Sequence, residues 1–94
     1  MINLIHKVKV SGRVQGVGFR RLVQKQGEEF GIGGWVKNNA DGTVTIEAHG
    51  PEEKVKNFFD EVGKGSFLAR VDEFEILESR NTQEDFDSEF NIKF

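Results

Sequence analysis

The chain has 94 residues, with 13 basic and 16 acidic side chains, a net charge of −3, and no cysteine. That length holds one domain, residues 1–94, with a modest core. The composition excludes disulfides, thiolate metal sites and a cysteine nucleophile, and the acidic balance argues against a general nucleic-acid binder.

No apolar run approaches the ~20 residues a membrane span needs, so no membrane partner is expected. Residues 1–4 turn polar too soon for a signal peptide. A cytoplasmic location is the expectation, and a cysteine-free chain suits that reducing compartment.

Leu4, His6, Val8 and Val10 alternate with Ile5, Lys7, Lys9 and Ser11. This period of two predicts a first strand over residues 4–11. Residues 12–18 hold three glycines, Gly12, Gly16 and Gly18, and lead to Arg20. Phe19, Leu22, Val23 and Phe30 then recur at helical spacing, which predicts a helix over 19–30 stopped by Gly31. Gly27 inside it costs up to about 1 kcal/mol against alanine, and a close helix–sheet contact would account for it.

Residues 33–38 read as a second strand, 39–42 as a turn, and 43–49 as a third strand paired with the second as a hairpin. Gly50 and Pro51 open a second helix, with Pro51 expected at its first position and Glu52 and Glu53 complementing the dipole. Val55, Phe58, Phe59 and Val62 form its apolar stripe, and Gly63 and Gly65 end it. Residues 69–77 read as a strand with a bulge near Asp72 or Glu73, where the apolar parity changes. Residues 79–88 read as a loop, and Phe90, Ile92 and Phe94 as one face of a short terminal strand.

The order βαββαβ plus a terminal strand predicts an α+β, ferredoxin-like sandwich. Its antiparallel sheet carries both helices on one face. The other face is expected to show Lys7, Lys9, Thr45, Glu47 and His49 to water, with Trp35 and the nine phenylalanines placed in the core. A face of that composition is a poor RNA-stacking platform. His6 and His49 fall on opposite faces and cannot pair as metal ligands.

A glycine-rich loop before a helix can turn N–H groups toward an anion, and an arginine beside it adds a charged fork. By spacing alone, a flexible connection is the simpler reading of this loop. A solvated helix position is the simpler reading of Arg20, and a turn residue that of Asn38 and Asn39. The loop is neither a P-loop nor a dinucleotide fingerprint.

Taken together, two stretches say more. Gly12-Arg13-Val14-Gln15-Gly16-Val17-Gly18-Phe19-Arg20 resembles the first signature of the acylphosphatase family. Gly34-Trp35-Val36-Lys37-Asn38, followed by Asp41-Gly42-Thr43-Val44, resembles the second. The resemblance covers nearly the whole chain. Gly27 departs from it, since many members have alanine there, and so do Ser66 and Phe67, where a proline is usual.

The resemblance implies a metal-free, cofactor-free hydrolase that splits acyl phosphates into a carboxylate and inorganic phosphate. It implies Arg20 and Asn38 as catalytic residues, the first holding phosphate and the second placing water. It also implies a phosphate-binding loop of Gln15, Gly16, Val17, Gly18, Phe19 and Arg20. A monomer is expected, and net charge and face composition argue against a nucleic-acid partner. Its alternative is a non-catalytic phosphate-binding module of the kind found inside larger maturation proteins, against which the short chain argues.

Overall fold

In a computed structural model, which describes residues 2–94, the elements run β1 (Asn3–Arg13), α1 (Phe19–Phe30), β2 (Gly33–Asn38), β3 (Val44–Pro51), α2 (Glu52–Gly63), β4 (Arg70–Thr82) and β5 (Phe90–Lys93). The five-stranded sheet has the order β4-β1-β3-β2-β5. The ferredoxin-like α+β expectation holds. The purely antiparallel sheet does not, because β5 lies parallel to β2, with Gly34 beside Phe90 and Val36 beside Ile92. The long segment after β4 carries the chain across to the far edge. It enters β5 in the same direction as β2, which a two-residue hairpin could not do.

Register explains which residues reach the core. Val8 pairs with Ile46, Val10 with Val44 and Val36 with Ile46, so one face of the sheet is continuously apolar. Phe19 and Val23 from α1, and Val55, Phe58 and Val62 from α2, pack with these residues in one cluster. The last turn of α1 closes at Gly31, whose φ of 69° is left-handed. The Ile32 N–H reaches back to Gly27 O at 3.1 Å, satisfying an orphan carbonyl of the helix end.

Gly27 has the close contact that its helical position requires. A Cβ there would lie 2.3 Å from the Phe90 ring. Phe90 is itself buried, and its carbonyl accepts from Gln24 Nε2 at 3.2 Å. Alanine would gain up to about 1 kcal/mol of helix propensity and lose about 1–3 kcal/mol to overpacking. Gly27→Ala is therefore expected to lower the midpoint of urea denaturation. A raised midpoint would show that Phe90 moves aside freely.

The bulge expected near Asp72 or Glu73 is present. Ser11 pairs with Glu73 and Gly12 with Val71, which leaves Asp72 as the extra residue. A second register shift leaves out Leu77. β4 runs further than the apolar pattern suggests, to Thr82, so part of the expected loop is strand. Its final residues are polar and still pair with β1, down to Asn3 opposite Thr82. Pro51 precedes α2 rather than opening it. Its ψ of 132° is extended, because it is still paired with Asn3 in the sheet.

Trp35 is not a core residue. It stands opposite Glu47 on the open face, donating from Nε1 to Glu47 Oε2 at 3.1 Å. Lys93 Nζ lies 4.4 Å from its ring centroid. Phe67 and Phe94 are also exposed. The histidines do face opposite ways: His6 packs edge-on against Phe59 at 4.9 Å, and His49 lies against Phe86 at 4.6 Å.

Candidate active site

The loop between β1 and α1 is pegged at both ends. Val14 and Phe19 are each 1% exposed and buried in the core. Between them Gly16 and Gly18 adopt φ of 74° and 76°. A Cβ at either would meet open space. These glycines are thus required by backbone conformation rather than by crowding. Phe19 enters the loop's service through its backbone, since its ring is in the core, and Val17 packs against the same core.

Gly18 caps α1 without a side-chain hydrogen bond, and the first turn has no acidic residue. The first intrahelical bond is from Leu22 N–H to Gly18 O at 3.1 Å. The N–H groups of Phe19, Arg20 and Arg21 are therefore left without a helical acceptor. By contrast, α2 opens with Glu52 and Glu53. The positive end of α1 is unneutralised and available to an anion.

A cleft of about 350 Å³ opens at this helix end. Its polar lining is Arg20, Arg21 and Asn38 together with Gly16 and Gly18, and its apolar lining is Val14, Phe19, Ile92 and Phe94. Two arginines and no acidic side chain line the cleft. Arg20 is half-buried and takes part in none of the five ion pairs among the described residues. Its guanidinium lies 5.1 Å from the ring centroid of Phe94.

Asn38 comes from β2, whose last residue pairs with Val44. That register puts it on the helix-covered face, in the cleft. Its Oδ1 is buried and has no hydrogen-bond partner among the described residues. Such an atom carries an uncompensated desolvation cost. Asn39, indistinguishable from it by sequence, does the local turn work instead. Its Nδ2 donates to Thr43 Oγ1 at 3.0 Å and to Thr45 Oγ1 at 2.8 Å.

The turn after Asn39 is held electrostatically as well. Asp41 accepts from the Thr43 N–H and hydroxyl and pairs with Lys9 Nζ at 3.1 Å. Those hydrogen bonds, first from Thr43 and then from Lys9, lower its carboxyl from 3.8 to about 2. Asp41 therefore stays ionised at neutral pH. The stabilisation this represents is present above 3.8 and is lost as pH falls through about 2.

Gln15 has a different task from the rest of its loop. Its Nε2 donates to Asn39 O at 2.8 Å and to Thr43 O at 2.9 Å, away from the cleft. It ties the glycine loop to the turn that follows Asn38. Losing both bonds is worth about 1–3 kcal/mol. Gln15→Ala is expected to lower the thermal midpoint and to reduce kcat several-fold, with inhibition by inorganic phosphate little changed. An unchanged melt would mean that the clamp carries no load.

The sequence did not anticipate Arg21, Ile92 and Phe94 in the cleft. Ile92 and Phe94 share the parity of the buried Phe90, and that was the available signal. Among the described residues no three His, Asp or Glu side chains gather in a way that could hold a metal ion. Among the same residues no helix is long and apolar enough to cross a membrane.

A family model described as Acylphosphatase matches residues 6–92. The chain belongs to the acylphosphatase family. The acylphosphatase of Bacillus licheniformis is 41% identical over 91 residues, which take in 97% of this chain and 99% of that one. That of Geobacillus thermodenitrificans is 45% identical, over 93% of this chain and 90% of the relative. The crystal structure of acylphosphatase from Bacillus subtilis superposes with a TM-score of 0.83 at 36% identity, covering 97% of this chain and 99% of that one. The chain is accordingly an acylphosphatase enzyme, with an acyl phosphate as substrate and inorganic phosphate as product.

Proposed function

We propose that the cleft hydrolyses acyl phosphates by direct attack of water on phosphorus, with Arg20 and Asn38 as the catalytic residues. The loop Gln15, Gly16, Val17, Gly18, Phe19 and Arg20 cradles the phosphate through backbone N–H groups. Gln15 adds its clamp on the neighbouring turn. Arg20 supplies a fork of donors with fixed charge. The observation that carries this reading is the buried, unpartnered Asn38 Oδ1 in the same cleft as Arg20 and the uncapped start of α1.

An amide has no useful pKa, so Asn38 orients water rather than deprotonating it. Its side-chain amide holds the water by hydrogen bonding and leaves the oxygen lone pair aimed at phosphorus. A new phosphorus–oxygen bond forms as the bond to the carboxyl oxygen breaks. The carboxylate leaves with that electron pair and needs no general acid. The water's proton passes to an oxygen of the phosphate. Little covalent work falls to the protein, and positioning with charge stabilisation supplies the acceleration.

Each chain contains both halves of the site, which supports a monomer as the acting unit. A cytoplasmic location suits the cysteine-free composition. The test is hydrolysis of benzoyl phosphate in ¹⁸O-water with a chelator present. The label is expected in the phosphate. Label in the benzoate would mean attack at the acyl carbon and overturn the mechanism. Phosphate binding without turnover would make the cleft a non-catalytic module.

A further inference from the structure

Only part of the cleft is occupied by the phosphate-holding groups. Arg20, Arg21 and the glycine loop make up one end, and Val14 and Phe19 are too deeply buried to offer much free surface. The exposed apolar surface lies at and just past the end of β5. Ile92 is half-buried against the core, and Phe94, one residue beyond the strand, is 96% exposed. The Phe94 ring stands 5.1 Å from the Arg20 guanidinium, at the rim of the cleft.

This reading rests on the proposed function, because phosphate on Arg20 sets where the rest of the substrate goes. In an acyl phosphate the carbonyl carbon is separated from phosphorus by a single oxygen. A group anchored at Arg20 therefore carries its acyl part into the space beside that arginine. The large side chain there is an aromatic ring that the fold leaves uncovered. Covering it removes apolar area from water on both partners, and ring-on-ring contact adds further stabilisation in offset or edge geometry.

We propose that Phe94, backed by Ile92, forms an acyl-group subsite, and that the enzyme favours acyl phosphates with aromatic or extended apolar acyl groups over acetyl phosphate. Phe94 touches the acyl part and not the reacting atoms. Its contribution therefore falls on substrate affinity more than on turnover.

The experiment compares kcat/KM for benzoyl phosphate and for acetyl phosphate in the wild type, Phe94→Ala and Phe94→Leu. The benzoyl-to-acetyl ratio is expected to fall about three- to tenfold in the alanine variant, mainly through a raised KM for benzoyl phosphate. The leucine variant, which keeps apolar surface without the ring, is expected to lie between. Because the ring is solvent-exposed, neither change opens a cavity, and a thermal melt verifies folding. A ratio that stays at the wild-type value, whether or not both activities fall together, overturns the subsite. Wild-type protein inactive on both substrates overturns the proposed function and this inference with it.

Discussion

Arg20→Gln is expected to reduce kcat/KM for benzoyl phosphate by about 10³-fold or more, as when a phosphoryl-transfer site loses its charged arginine. Glutamine keeps polarity and some reach but removes the charge and the two-pronged donor geometry. The site has no nearby cation that takes over the same place: Arg21 lines the cleft but is more exposed. Inhibition by inorganic phosphate is expected to weaken together with turnover, since the same fork holds substrate and product. The fold has little to lose. Arg20 makes no ion pair among the described residues, and its contact with the exposed Phe94 ring is worth about 0.5–1 kcal/mol. Circular dichroism and the melting temperature are expected to stay close to wild type. Near-normal turnover in a folded variant would remove Arg20 from the site.

Asn38→Ala separates chemistry from binding. Its expected loss is about 10²-fold or more in kcat, the scale seen when one positioned polar group is removed from a transition state. Phosphate inhibition is expected to persist, because Arg20 and the helix end remain. Stability supplies an unusual diagnostic. The Oδ1 of Asn38 is buried without a partner among the described residues, so its removal relieves a desolvation cost of about 1–3 kcal/mol. The variant is expected to melt at the same temperature as wild type or higher while turning over far more slowly. That pairing is the mark of a group kept for function at the expense of stability. A variant that loses phosphate binding and stability together would make Asn38 a structural residue.

The two asparagines show where local reading stops. Asn38 and Asn39 are adjacent, equally at home before a turn, and equal in chemistry. One residue of strand register decides between them: Asn38 is opposite Val44 on the helix-covered face, while Asn39 is bonded within its own turn. The resemblance to a known family pointed to Asn38, but no property of the residues did. Gln15 is a second case. As a loop member it was read with the phosphate-binding backbone, and its side chain instead reaches the turn beyond β2. That partner is distant in sequence and has no local signal.

Trp35 shows a different limit. Size and apolarity argue for the core, but Val36 beside it already occupies that face, and alternate residues of a strand must point opposite ways. Weighing parity above residue type would have put Trp35 on the open face. The end of β4 escapes the apolar pattern because its last residues are polar at a sheet edge, where no alternation marks a strand. Its bulge at Asp72 was legible because a change of apolar parity has no other economical cause.

By itself the sequence determined what depends on neighbours along the chain. Phe19, Val23 and Gly31 set the helix, and Gly16 and Gly18 permit the loop's left-handed turns. It also put an arginine in the first turn of a helix that has no acid to neutralise it. Tertiary structure alone decided what meets that helix end. Side-chain period fixes which face a residue takes, but not which strand lies beside which, since strand order is set by long-range pairing and shared burial. The order β4-β1-β3-β2-β5 brings Asn38 to Arg20 and carries Ile92 and Phe94 in from the far edge along a parallel strand. The glycine loop thereby became one end of a cleft that Asn38 also lines, with Ile92 and Phe94 as its apolar wall.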